Sequence, residues 1–130
     1  MATPGRQSHL QVVHFLRKTY LYTEGQTAVV TIGVLPAGAV IIGAMSGIAV
    51  TTAFNDATNK LCKIGVTGTD DKYDASASLA TLGFVPFDAA ASHLIGTTDT
   101  TVILTGLRTG TAASAGSAEI IIAYCPDTDG

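Results

Sequence analysis

Charge is what this sequence has least of. Asp, Glu, Lys and Arg make up 13% of its 130 residues, against 47% hydrophobic. An ordinary soluble domain carries about 25% charge. With so few side chains that insist on water, part of the surface is expected to lie against other chains, which points to an assembly component rather than a free enzyme. The seven Lys and Arg residues are scattered, only Arg17 and Lys18 are adjacent, and the net charge is −3. No basic stripe exists to follow a phosphate backbone. Tryptophan is absent and aromatics are 6%, which disfavours base-stacking platforms and sugar-binding platforms alike.

Long hydrophobic runs are missing as well. The apolar stretch at 37–45 is far short of the about 20 residues that span a bilayer. The N-terminal MATPGRQSH has no apolar segment of a secretory signal, so folding in a reducing cytosol is expected. Two cysteines, Cys62 and Cys125, are too few for a disulfide scaffold. Each sits in an apolar run and reads as a small buried hydrophobe. A bridge between them is the lesser alternative.

Catalytic signatures are absent too. His9, His14 and His93 do not stand at HxxH or HExxH spacing, so no zinc motif is present. Ser92 precedes His93, and Ser46-Gly47 lies within AMSGI, but neither makes the G-x-S-x-G turn of a hydrolase nucleophile. Asp70, Asp71 and Asp74 in GTDDKYD offer oxygens to a hard cation, yet the spacing of a calcium loop is lacking. A solvated turn with Asp74 as a helix N-cap is the plainer reading. The glycines form neither a P-loop nor a dinucleotide fingerprint. No catalytic, metal-binding or cofactor-binding residue is assigned, and no cofactor is expected.

What the sequence does contain is strand pattern. Residues 1–8 read as a flexible arm, 9–126 as one domain and 127–130 as a polar tail. Strand-type residues run from Leu10 to Tyr22, and a period of two runs through Ala28, Val30, Ile32 and Val34. Further strands are expected near 39–45 bending into 47–54, with Gly43 and Gly47 marking a bulge or a close backbone approach. Others are expected at 61–66, 100–107 and 119–125, with short extended pieces at 84–85 and 94–95. Residues 55–59 read as a polar hairpin loop, 67–72 as a loop and 75–82 as a short helix. The fold class is therefore all-β, a single β-sandwich or jelly-roll-like domain with one short helix. Its core is expected to include Val30, Ile32, Ile42, Val50, Phe54, Ile64, Leu104 and Ile121.

Two segments carry a resemblance. VLPAGAVIIGAMSGIAVTTAFNDATNKLCKIGVTGTDDKYDASASL and DTTVILTGLRTGTAASAGSAEIIIAYCPD together resemble small structural proteins encoded beside the major capsid gene of tailed bacteriophages. The resemblance covers most of residues 33–127, in turn and strand patterns rather than catalytic motifs. It implies a β-sandwich or jelly-roll module serving as a capsid decoration, or cement, protein. Such a protein binds the outside of the assembled head across capsomer joints. The implied partners are the major capsid protein and further copies of the chain, as a trimer, with no nucleic acid and no membrane. The alternatives are a tail or head–tail joining component and a carbohydrate-binding adhesion module. The expected partner-contacting residues are Arg6, His9, His14, Arg17 and Lys18.

Overall fold

A computed structural model describes residues 13–87 and 95–125. Among these residues the strands are β1 (His14–Leu21), β2 (Val29–Leu35), β3 (Val40–Ile41), β4 (Gly47–Thr52), β5 (Leu61–Val66), β6 (Thr69–Ser78), β7 (Gly83–Pro86), β8 (Thr100–Gly106) and β9 (Ser117–Cys125). A 3-10 turn occupies Gly43–Met45. Two antiparallel sheets result. Sheet A runs β1-β9-β4-β7, with the two-residue β3 also on β9, and sheet B runs β2-β8-β5-β6. With β3 set aside, every connection except the β5–β6 hairpin passes from one sheet to the other. That is the strand order of a jelly roll, so the expected all-β sandwich is the observed fold.

Alternation builds the core between the sheets. Ile48 and Val50 of β4, Cys62 and Ile64 of β5, Val102 and Leu104 of β8, and Ile120 and Ile122 of β9 all point inward and are buried. Phe54 stacks on Tyr20 at 5.4 Å between ring centroids. Of the expected core residues, Ile32, Val50, Phe54, Ile64 and Leu104 are buried, and Val30 packs half-buried against them. Ile42 and Ile121 are only half-buried. In each case the neighbouring isoleucine, Ile41 or Ile120 and Ile122, takes the inward place. A run of consecutive isoleucines carries no period of two, so its facing is set by the ladder it joins.

Three further expectations are corrected. No helix forms over 75–82: β6 continues to Ser78, paired with β5 through Leu61↔Ser78 and Cys62↔Ala77. Buried Ala77 and Leu79 flank half-buried Ser78, while exposed Ala75 and Ser76 fill the bulge between the pairs Cys62↔Ala77 and Ile64↔Asp74. Asp74 is therefore not an N-cap but a buried carboxylate in a strand, accepting the Ser76 backbone N–H at 3.1 Å. The loop at 67–72 shrinks to the two-residue turn Thr67-Gly68, with Gly68 at φ +93. Residues 55–59 are not a hairpin, because β4 and β5 lie in different sheets. The close approach expected at Gly47 is present: a Cβ there would lie 2.2 Å from the Val85 carbonyl oxygen of neighbouring β7. Both thiols are free. The expected domain boundaries fall outside the described residues.

Candidate docking surface and buried arginine clasp

The most concentrated polar chemistry is inside the molecule, and it surrounds Arg108. Arg108 and Asp56 are each 1% exposed. Arg108 Nη1 lies 3.4 Å from Asp56 Oδ1, and Nε donates to Tyr20 Oη at 3.1 Å. Nη2 donates to the Glu24 carbonyl. The guanidinium carbon sits 5.4 Å from the Tyr20 ring centre and 5.1 Å from that of Phe54. Asp56 is satisfied in turn by Gln26 Nε2 at 2.8 Å and the Ala113 N–H at 3.2 Å. Three connections are tied together here: the β1–β2 turn, the β4–β5 loop and the β8–β9 loop. Every strong donor is engaged by protein, so the arrangement is a structural clasp, not an open reaction site. Sequence reading missed it, since Arg108 and Asp56 stand far apart in two polar segments and nothing local marks either as buried.

The groups singled out for chemistry are also structural. The Ser46 hydroxyl is fully buried, accepting from the Ala123 N–H at 3.0 Å and donating to the Ile42 carbonyl at 2.8 Å. His93 lies outside the described residues. Burial first, and then Asp74, pushes the Cys62 thiol up to about 12, which leaves it neutral and unreactive at physiological pH. Burial likewise raises Tyr20 and Tyr73. No group of three or more His, Cys, Asp or Glu side chains converges among the described residues. No helix among them is long and apolar enough to cross a membrane.

The expected partner-contacting residues divide. Arg6 and His9 lie outside the described residues. His14, Arg17 and Lys18 are exposed on β1, the edge strand of sheet A. They do not form one cluster. The His14 ring packs 5.7 Å from Tyr124, Arg17 bonds outward to Glu119 at 2.5 Å, and Lys18 falls on the opposite side of the strand from Arg17.

Register lays out the outer face of sheet A in rows. One row is Arg17, Ile121, Gly47 and Pro86; the next is Thr19, Glu119, Ala49 and Phe84; Phe15 lies beside Ala123 and Leu21 beside Ser117. The middle of the face combines small Gly47, Ala49 and Ala123 with Ile121, its charges Arg17 and Glu119 neutralise each other, and Phe15, Leu21 and Phe84 stand exposed at its margins. This is a flat, low-charge surface suited to lying against another protein.

The outer face of sheet B differs. It carries Thr31, Thr101 and Thr105, with exposed Val29 beside Thr105 and exposed Val34 beside Thr101, and the Lys63–Asp70 ion pair at 2.9 Å. The tip of the β5–β6 hairpin folds over it, a close approach that Gly65 permits: a Cβ there would lie 2.3 Å from the Thr69 carbonyl oxygen. Beneath that tip is an open concavity of about 460 Å³ lined by Thr67, Thr69, Asp70, Asp71, Ile103 and Thr105, among others.

No family model matches the chain, and no curated protein sequence matches it. Its structure is similar to a chain of the cyanophage Pam1 capsid asymmetric unit, with a TM-score of 0.65 and 18% sequence identity, covering 98% of this chain and 93% of that one. At that identity the likeness is one of fold.

Proposed function

We propose that this chain is a structural component of a bacteriophage virion, a decoration protein that docks on the assembled head and cements joints between capsid subunits. The observation that carries the reading is the fold match to a chain of a capsid asymmetric unit, which accounts for almost the whole length of both chains. The matched chain of the neighbour is therefore of about this size. Two features of the molecule support the same reading. Its buried ion pair is fully engaged by groups of its own chain, and the outer face of sheet A carries a single compensated charge pair.

A cement protein performs no reaction. It binds the assembled shell and not the separated subunits, so it stabilises the shell by mass action. Docking through apolar and backbone contacts also makes attachment insensitive to moderate salt. The test is to purify particles with and without the chain and heat both. Decorated particles are expected to contain it at a fixed copy number and to release DNA at a higher temperature. Equal thermal survival of the two preparations would refute the cement role.

A further inference from the structure

From residue 75 to residue 87 the sequence has no charged side chain. Within that stretch residues 80–86 are all exposed, including Leu82 at 63%, Phe84 at 45% and Val85 at 41%. This run contains β7, the outermost strand of sheet A, paired with β4 on one side and with no strand on the other among the described residues. Proteins blunt such an edge with charge, with proline or by keeping it short, because bare backbone groups beside apolar side chains invite another strand; β7 is short and ends on Pro86 but carries no charge. The opposite edge of the same sheet is blunted with charge: β1 carries Arg17 and Lys18, both exposed.

We propose that the β7 edge is a self-pairing edge, covered in the working protein by β7 of a second copy around a two-fold axis. The charge pattern admits a second copy at this edge of sheet A and opposes it at the other. A two-fold contact sets each residue against a neighbourhood of its own kind, so a charge on the strand would face its own like. A run without charge escapes that penalty, whereas β1, meeting itself, would bring Arg17 and Lys18 together with those of its copy. Sheet A therefore has one edge that tolerates its own copy and one that repels it. Association stops at a pair instead of growing into a fibre. Pro86 tightens the limit by removing a backbone donor from the strand. A four-residue edge with its flanking side chains is smaller than the about 800 Å² per partner of a standard interface, so the pair is weak in free solution. The inference does not depend on a virion role.

Sedimentation of the free protein from about 5 µM to about 1 mM reads it directly. The wild type is expected to move from monomer to dimer across that range. The Leu82→Lys/Phe84→Lys variant is expected to remain monomeric, with an unchanged β-type circular dichroism spectrum. Mixing it with Leu82→Glu/Phe84→Glu should restore a mixed dimer, an outcome open only to an edge that meets itself. In a second, milder format, Phe84→Cys in a Cys125→Ser background should cross-link to a covalent dimer with a short bis-maleimide much faster than Thr31→Cys on sheet B. A wild type that stays monomeric or forms trimers would overturn the proposal. So would association that survives the lysines, a mixture that fails to pair, or equal cross-linking at the two cysteines.

Discussion

The loop end around Arg108 and the β7 edge invert each other. At the loop end a charged pair is fully buried, where apolar packing is the rule. At β7, large apolar side chains stand in water on a strand with no charge to protect it. The clasp is complete within one chain, since every donor of the guanidinium ends on this protein's own oxygens or rings. The edge leaves its outer backbone groups and side chains without a strand partner among the described residues. Arg108 and Asp56, two of the chain's few charged residues, hold three connections together from inside. Stability should therefore reside at the clasp and association at the edge, and the two should be separable by mutation.

The largest effect is expected at the clasp. Arg108→Met leaves Asp56 buried without its counter-charge and should cost about 3–5 kcal/mol in urea unfolding. Arg108→Met combined with Asp56→Asn should recover part of that loss, because the stranded charge is removed with its partner. A single variant that unfolds at the wild-type midpoint would show that the loop end does not hold the sandwich closed.

Alkaline pH attacks the interior by another route. Burial raises the Cys62 thiol from 9.0 to about 12. An acid whose folded pKa is raised stabilises the fold fully below its unfolded value and loses that contribution as pH climbs towards the folded one. Stability should therefore decline from pH 9 upward, with Tyr20 and Tyr73 adding to the decline above 10 in the same direction. Cys62→Ala is expected to delay the onset to the tyrosine range, read as the slope of unfolding free energy against pH. In the native protein at neutral pH, a thiol reagent should modify half-buried Cys125 well before Cys62.

The two regions were unequally legible in the sequence. Strands β5 and β8 could be read because one face of each is buried, so Cys62 and Ile64, and Val102 and Leu104, recur at a spacing of two; in β2 the period holds at Val30 and Ile32 and breaks at a bulge, which leaves Val34 exposed and Leu35 buried. The end of β6 could not. The Ala and Leu residues of 75–82 favour a helix locally, and only pairing with β5 makes the end of β6 strand. Ile121 and Ile42 were misplaced because a run of isoleucines has no local phase. Arg108 and Asp56 were invisible because a buried ion pair between distant loops leaves no periodicity. At β7 the missing charge was in plain view, but its meaning depends on the strand lying at a sheet edge, which only topology supplies.

A sharper separation comes from Phe84→Lys alone. Phe84 is 45% exposed, so the change should alter monomer stability by no more than about 0.5 kcal/mol, while abolishing concentration-dependent pairing. Loss of stability as large as that of Arg108→Met would mean that β7 belongs to the core and that the contrast between the regions is false.

The smallest effect is expected at Arg17. Its bond to Glu119 is the one ion pair on the outer face of sheet A among the described residues, and the Arg17 side chain is 57% exposed. Exposed pairs gain little, because water screens the attraction and two long side chains lose freedom in meeting. Arg17→Gln should leave the urea midpoint within measurement error. On particles the same substitution asks a different question. If sheet A lies against the shell, Arg17 and Glu119 are both dehydrated there, and Glu119 without its partner becomes an unpaired charge at an apolar contact. Arg17→Gln should then weaken attachment, and Arg17→Gln with Glu119→Gln should largely restore it. Attachment unchanged in both variants would move the shell contact off sheet A and onto the threonine-rich face of sheet B.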